Sequence, residues 1–339
     1  MRFRDLVATF GSSVHAWDAS PPSAERNAAS ENASSALDRA ARAGAQLIAS
    51  GDENYPARLA ELPDPPPVLF AIGDLAQLRE PCVAIVGTRR ATGYGERVTF
   101  EIAGALARAG VTVLSGMARG IDGVAHRAAL AAGGRTVAVL GTGVDVAYPA
   151  AHRLLHEEIA ARGLLLSEEL PGDRASGGSF PKRNRIIAAL ATAVIVVEAP
   201  HRSGALITAM HALDLNRIIA AVPGPIDVPQ SAGSNTLLRD GAIIIAEVAD
   251  ALALVGATEP AAPSRLPSDA QVLADLTQRA VWHALESPAP DLDALAARAS
   301  LPARRCLEAV SALEVTGAIE CALTGEIRRR GWSSRASMR

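Results

Sequence analysis

The chain has 339 residues, 49% of them hydrophobic, which is long enough for two or three globular domains with a large core. Its formal net charge of -3 excludes a polycation, so a surface that binds nucleic acid can only be a local patch. The three scattered cysteines show no zinc or disulfide spacing and no apolar stretch reaches membrane-spanning length, so we expect a cytoplasmic protein without a metal or membrane insertion.

The N-terminal region, residues 1–45, is expected to be small and only partly helical. A helix is predicted at residues 3–10, and the Ser/Asn/Ala-rich tract at residues 20–35 has the low hydrophobicity of a loose connection. The core domain is placed at residues 46–255.

Short apolar runs alternate with Ala/Leu-rich helical segments throughout this core. The runs lack polar alternation, as strands buried on both faces do, and the intervening helices supply crossovers for a parallel sheet. The pattern therefore predicts a doubly wound α/β domain with a mostly parallel sheet. The predicted strands lie at residues 83–86, 111–114, 136–140, 164–166, 194–197, 218–222 and 243–245.

Polar and glycine-rich segments follow these strands, whereas the leading ends of the strands are plainer. Loops at the carboxyl edge of an open parallel sheet gather in one crevice, which is where this architecture binds ligands. The segment Gly87-Thr88-Arg89 has the glycine turn and the hydroxyl donor of a phosphate-binding loop directly after a buried strand. It lacks the spacing of known dinucleotide or Walker motifs. We expect the loops that contain Gly87, Ser115, Gly116, Arg119, Ser203 and Gly204 to meet at one site.

The only lysine of the chain, Lys182, lies in the run Phe180-Pro181-Lys182-Arg183-Asn184-Arg185, directly before an apolar helix. A helix N-terminus already carries partial positive charge and normally attracts acidic side chains, so three further cations there predict a phosphate ligand. An exposed basic turn is the alternative.

A catalytic triad is the first of two enzymatic interpretations of these loops. Ser115, Asp122 and His126 are the candidate members, but no nucleophile-elbow pattern surrounds Ser115. Asp122 is well placed to cap a helix, and packing is the common role of a histidine on an apolar helix. The two residues Asp122 and His126 also provide too few ligands for a metal site.

Glutamates provide the second enzymatic interpretation. Glu198 is either a base or an orienting partner of Arg183 or Arg185, and we favour the orienting role. The neighbouring Glu168 and Glu169 should point to opposite faces of an extended segment, which argues against a paired-carboxylate mechanism. The sequence therefore predicts a protein that binds a polyanion without catalysis and without a cofactor.

The C-terminal region begins with a proline-containing linker at residues 256–268. Helices are predicted at residues 270–286, 292–298 and 302–316, followed by a hairpin at residues 318–330. This is the outline of a winged-helix domain at residues 269–332, with a tail at residues 333–339. Residues 268–339 contain nine acidic and nine basic residues, which weakens the case for duplex binding.

A series of motifs runs through the core in a fixed order. The motifs are IVGTR (85–89), SGMARGID (115–122) with AH (125–126), GTG (141–143) with YP (148–149), SE (167–168), FPKRNRII (180–187), SGALITA (203–209), VPG (222–224) and GSN (233–235). This series, which covers about residues 55–253, resembles the DNA-processing protein A family (DprA, also called Smf). The region at about residues 270–330 resembles the winged-helix module of many members, whereas residues 3–20 match only part of the N-terminal helical domain of some members.

The resemblance implies an extended Rossmann-like domain that forms a homodimer and binds single-stranded DNA without cutting it. It also implies a role in protecting incoming strands and loading the recombinase RecA on them during natural transformation. Arg89 and Lys182 would contact phosphates in a central pocket, and Phe180 would stack on a base. The remaining implied site residues are Gly87, Thr88, Ser115, Gly116, Arg119, Arg183, Asn184, Arg185, Ser203 and Gly204.

Two other functions remain open from the sequence. Rossmann-like phosphoribohydrolases of nucleoside monophosphates hold phosphate on a loop with a double glycine, and the segment at residues 200–204 lacks that pair. A regulator that reads duplex DNA through a winged helix is the other alternative, and the neutral charge of that region argues against it.

Overall fold

The computed structural model describes residues 24–79, 81–258, 276–315, 318–322 and 325–329. The chain divides into two compact units with the boundary between Glu259 and Pro260. The helix predicted at residues 3–10 and the tail at residues 333–339 lie outside the described residues. Within the described ranges, none of the helices has the length and apolar character needed to cross a membrane.

A nine-stranded sheet forms the centre of the first unit, in the order β1-β2-β6-β5-β4-β3-β7-β8-β9. The seven strands from β6 to β9 in this order are parallel, which confirms the predicted sheet. Two antiparallel strands, β1 and β2, extend it at one edge. The strands are β1 (Gln46–Ala49), β2 (Val68–Gly73), β3 (Cys82–Val86), β4 (Thr112–Ser115), β5 (Thr136–Leu140), β6 (Leu164–Ser167), β7 (Ala193–Val196), β8 (Ile218–Ala221) and β9 (Ile243–Ile244).

Helices cover both faces of this sheet. In β3, Val83 and Ile85 pack in one hydrophobic cluster while Ala84 and Val86 pack in another, so alternate side chains are buried on opposite faces. The doubly wound α/β prediction is therefore confirmed. The helices of this unit are α1 (Ala24–Ala43), α2 (Gly93–Arg108), α3 (Ile121–Ala131), α4 (Arg153–Arg162), α5 (Ser179–Leu190), α6 (Gly204–Asp214), α7 (Ala232–Arg239) and α8 (Val248–Ala253).

The tract predicted to be a loose connection at residues 20–35 is helical from Ala24 onward, as part of the 20-residue helix α1. Alanine has the highest helix propensity, so a sequence too polar to build a core can still form a helix that lies on one. Ala40 is buried against Phe70, and the Arg39 side chain donates to Pro171 O and pairs with Asp173. These contacts hold α1 on the core.

The strand order produces a switch point between β3 and β7. From β3 the chain proceeds to one side through β4, β5 and β6, and it then crosses to the other side of β3 to form β7. The loops that follow β3 and β7 therefore leave in opposite directions and open a crevice at the carboxyl edge.

The second unit contains three helices and one hairpin. Trp282, Leu295 and Leu313 are among its buried core residues. The five elements lie within one residue of their predicted ranges, and residues 270–275 of the first predicted helix lie outside the described residues. The winged-helix assignment stays a prediction. The five elements are α9 (Leu276–Ala284), α10 (Leu292–Ala299), α11 (Ala303–Val315) and the antiparallel pair β10 (Ile319–Cys321) and β11 (Ile327–Arg329).

Replacement of Ile195 in the central strand β7 should destabilise the first unit strongly. The side chain is fully buried, so Ile195→Ala should lower the free energy of unfolding by about 2–5 kcal/mol. Leu154→Ala is the matched control, because Leu154 is 70% exposed on α4 and its loss should cost less than about 0.5 kcal/mol. Urea unfolding of both variants measures the difference, and similar losses would contradict the buried position of Ile195.

Candidate nucleic-acid interface

A cavity of about 440 Å³, here called the central cavity, opens at the switch point. It lies between the loops that follow β3 and β7 and the first turns of α5 and α6. Eight of the thirteen predicted site residues line it, so the structure brings most of the predicted loops together at one crevice. These eight are Gly87, Thr88, Arg89, Phe180, Arg183, Asn184, Ser203 and Gly204.

A second cavity of about 230 Å³, here called the side pocket, adjoins the first. Arg89 and Phe180 line both cavities, while Arg119 and Tyr148 line only the side pocket. The guanidinium carbon of Arg89 lies 5.1 Å from the centroid of the Phe180 ring, and the Tyr148 ring centroid lies 5.1 Å from that of Phe180. The wall between the cavities thus presents a cation and two aromatic rings side by side.

Tyr148 was quoted in the sequence only as part of a motif and was not selected as a site residue. Its side chain is 43% exposed although it is aromatic, and it follows β5 at the carboxyl edge of the sheet. An aromatic residue in a loop after a buried strand was the signal that could have identified it.

The first turn of α6 faces the central cavity through Ser203, Gly204 and Thr208. The Ser203 Oγ atom is shielded from solvent and has no hydrogen-bond partner among the described residues. Backbone N–H groups at the start of an α-helix lack intrahelical acceptors and carry partial positive charge. This end of the cavity therefore offers donors to an anion, as predicted from the sequence.

The loop after β3 packs directly on the loop after β4. Ile121 N donates to Thr88 O at 3.3 Å, and Thr88 N donates to Glu198 O at 2.7 Å. Gly120 has a φ of 73°, and a Cβ atom on it would collide with Thr88 O. Glycine at this position lets the two backbones touch, which fixes Arg89 relative to Arg119.

Glu198 does not orient Arg183 or Arg185, so the favoured interpretation of this residue was wrong. Its side chain is 2% exposed, and its carboxylate accepts hydrogen bonds from the backbone N–H and the hydroxyl of Thr92. Thr92 in turn caps α2 by accepting from Gly95 N. Glu198 therefore holds the start of α2 against the loop that follows β7, where it has no free oxygen for a base.

Arg183 lines the central cavity, but its guanidinium is directed into the protein. The residue is 6% exposed and donates to Gly116 O at 2.8 Å, to Val139 O and to the Asn184 side chain. Burial lowers the pKa of Arg183 to about 10, while the nearby Asp122 opposes that change. Arg183 is thus a buried bridge between loops, in contrast to the expected phosphate contact.

Asp122 does not cap α3 from outside, since the N-cap position belongs to Gly120. Its buried carboxylate accepts from Gly116 N at 3.2 Å and from Ala118 N at 3.3 Å. Burial raises the pKa of Asp122, and the adjacent Arg183 counteracts part of that effect. The two residues, which both line the cavity, balance each other's charge at its inner wall.

Lys182 and Arg185 lie outside both cavities. The Arg185 guanidinium contacts both oxygens of Glu168 at 2.7 and 2.8 Å, and the Lys182 ammonium lies 3.3 Å from Glu168 and 4.0 Å from Glu169. The expectation that Glu168 and Glu169 point apart was therefore wrong, because both carboxylates reach the same ammonium. The three cations of the FPKRNR run are engaged within the protein.

The groups considered for a hydrolase triad are bonded elsewhere. The Ser115 hydroxyl is fully buried and donates to Ile85 O at 2.6 Å. It therefore does not face a ligand, in contrast to the expectation from the sequence. Thr136 Oγ1 donates to Val113 O, and the His126 Nδ1 atom, 2.7 Å from Thr136 Oγ1, is therefore the donor in that pair. His126 is a core histidine, and these residues do not form a triad.

Of the predicted cations, Arg89 and Arg119 are the two that line a cavity and are not engaged by the groups described above. Both are exposed, and neither forms an ion pair within the described ranges of the chain. A guanidinium without an internal carboxylate keeps its full donor set for a phosphate. The positive character of the site therefore comes from the loops after β3 and β4 and from the start of α6.

The parallel sheet, the switch-point cavity and the glycine-dependent loops define an extended Rossmann-like protein with a cavity at the carboxyl edge of its sheet. The family described as DNA recombination-mediator protein A matches residues 46–256 of this chain. The chain belongs to that family, which confirms the resemblance seen in its motifs.

Three similar proteins illustrate the relationship. Protein Smf of Synechocystis sp. is 47% identical over 216 residues, which cover 62% of this chain and 54% of that protein. The X-ray structure of DNA processing protein A from Streptococcus pneumoniae gives a TM-score of 0.60 at 41% identity, covering 62% of this chain and 74% of that chain. DNA processing protein A from Helicobacter pylori, whose structure is described for its single-stranded DNA binding mode, gives 0.56 at 34% identity and covers 61% and 94%. The chain thus spans about half the length of the Synechocystis relative.

The buried His126 should make the protein sensitive to acid. Burial, aided by the nearby His152 and Arg183, lowers the pKa of His126 to about 3, so the unfolded state binds a proton that the folded state does not between about pH 6.5 and pH 3. Stability is therefore lost as the pH falls through that window, by about 2–3 kcal/mol between pH 7 and pH 4.5.

The variant His126→Asn retains a donor for Thr136 Oγ1 but does not titrate. Between pH 7 and pH 4.5 its free energy of unfolding should therefore fall by about 2–3 kcal/mol less than that of the wild type. Denaturant unfolding at the two pH values measures the effect, with the exposed loop residue His201→Asn as control. Equal acid losses in wild type and His126→Asn would show that His126 is not kept neutral by burial.

Proposed function

We propose that this chain is a recombination mediator that binds single-stranded DNA across the central cavity and the side pocket. The observation that carries the proposal is the position of Arg89, an exposed cation beside two aromatic rings and the N-terminus of α6, with no ion pair in the part of the chain that the structure describes. A single strand offers phosphates and unstacked bases together, so its recognition combines cations with aromatic rings. The single-stranded DNA binding described for the similar Helicobacter pylori protein supports the same ligand.

The side chains divide into direct and positioning roles in this proposal. Arg89, Arg119 and the first turn of α6 with Ser203 hold phosphates, whereas Phe180 and Tyr148 stack on bases. The other predicted residues act by placing these groups. Gly87, Thr88, Ser115, Gly116, Arg183, Asn184 and Arg185 hold the loops through the backbone and buried contacts described above.

Binding without cleavage is supported by the state of the candidate catalytic groups. The Ser115 hydroxyl, the His126 Nδ1 atom and the Glu198 carboxylate each have a protein partner. A nucleophile or base must instead be free to reach a reacting atom in the cavity. The protein is therefore assigned to strand binding, and these contacts argue against the phosphoribohydrolase alternative.

The cellular role in this proposal follows from the family. The chain would protect single strands and load RecA on them in the cytoplasm during natural transformation. The family description supports the part of this role that concerns recombination. A second copy of the chain is the proposed partner at the sheet edge formed by β9. This edge strand is only two residues long, and Ile243 and Ile244 are 48% and 53% exposed.

The strength of strand binding should depend on salt in proportion to two cationic contacts. Each phosphate contact contributes a slope of about -0.7, so affinity should fall about sevenfold between 50 and 200 mM salt, less than the roughly twentyfold expected if three cations were free. Arg89→Met should weaken binding several-fold and reduce the fall to less than about threefold. Titration of a fluorescent oligonucleotide measures both, and the oligonucleotide should remain intact.

Arg90→Met is the matched control, because Arg90 is an exposed neighbour that lines neither cavity. It should leave the affinity and the salt slope close to those of the wild type. If the salt dependence of the affinity has the same slope in Arg89→Met and wild type, Arg89 does not contact a phosphate, and the proposed site is contradicted.

Self-association should depend on the exposed β9 edge. Ile244→Lys places a charge on this edge, where charged residues oppose pairing between sheets, so it should convert a dimer to a monomer. Light scattering after size exclusion measures the mass, and Leu154→Lys on the exposed face of α4 is the control. A dimer that persists in Ile244→Lys would place the contact elsewhere.

A further inference from the structure

A cluster of four charged groups lies at the carboxyl edge of the sheet, and Lys182 is one of the four. Lys182 and Arg185 come from the first turns of α5, and Glu168 and Glu169 directly follow β6. Each pair contributes two charges of one sign, so the cluster is neutral as a whole. The basic start of α5 therefore presents no net positive charge at this position.

The three ion pairs in this cluster are unequal. Arg185 and Glu168 are each 13% exposed, and one guanidinium nitrogen contacts both carboxylate oxygens. Lys182 is 51% exposed, and its distances of 3.3 and 4.0 Å to the two carboxylates are longer. Arg185 already balances Glu168 in a shielded pair, whereas the contact of Lys182 with Glu169 is solvated and weak.

Lys182 lies on the same turn of α5 as one residue of the proposed strand site. It follows Phe180 by two residues, and Phe180 lines both cavities. The four-carbon stem of a lysine is flexible, so the ammonium can leave its carboxylates for a phosphate beyond the rim. The exchange breaks the contacts of Lys182 with both carboxylates; Glu168 keeps its ion pair with Arg185, so Glu169 is the carboxylate whose ion pair is lost.

We infer that Glu169 is an intramolecular competitor of phosphate for Lys182, and that it holds strand affinity below what the cations of α5 would give. The inference rests on the proposed function and assigns a new role to the Lys182 and Glu169 pair. A phosphodiester that binds near Lys182 must displace the Glu169 carboxylate. Glu169 therefore lowers the affinity for the strand although it lines neither cavity.

Glu169→Gln is the direct test, because it removes the charge and keeps the shape. Its affinity for an oligonucleotide should increase several-fold, and its salt slope should become steeper by about 0.7 as Lys182 gains a phosphate. Glu169→Ala should give the same gain. The double variant Glu169→Gln/Lys182→Met should show no gain over Lys182→Met.

Glu157→Gln controls for a general loss of negative charge, since Glu157 pairs with Arg153 on the exposed face of α4. Thermal unfolding of each variant establishes that the fold is retained. An unchanged affinity in Glu169→Gln, a gain that persists without Lys182, or an equal gain in Glu157→Gln would each overturn the inference. A wild-type protein that fails to bind the oligonucleotide would instead refute the proposed function, and the inference with it.

Discussion

The geometry of the site depends on the buried guanidinium of Arg183. It joins Gly116 O at the end of β4 to Val139 O in β5, and Asp122 lies near it as the counter-charge. A buried charge that loses its partners costs several kcal/mol, so these loops cannot separate without a large penalty. Asn184 extends the connection by donating to Gly204 O at the start of α6 at 3.1 Å. The crevice therefore exists before any ligand arrives.

The sheet and the location of the site could be predicted from the sequence because both depend on local patterns. Each parallel strand is a continuous apolar run, and parallel strands place their following loops at one edge. The direction of individual side chains could not be predicted in the same way. Within one turn of α5, Arg183 points into the protein while Lys182 and Arg185 reach Glu168, and a count of cations cannot distinguish these environments.

Partners that are distant in sequence explain the remaining differences. Glu198 bonds to Thr92, 106 positions earlier, so nothing near Glu198 in the sequence could have shown that its carboxylate was engaged. The same holds for α1, whose polar sequence lacks the signal of a core helix but which is held by the contact of Arg39 with Asp173. Tertiary contacts overrode the local signal in both cases.

Lys182 combines partial exposure with the fact that it is the only lysine of the chain. Apart from any α-amino terminus, it is thus the sole primary amine available to acylating reagents. A label introduced through this chemistry would attach to one known side chain near the crevice. A spectroscopic probe can therefore be attached at Lys182 without an engineered cysteine.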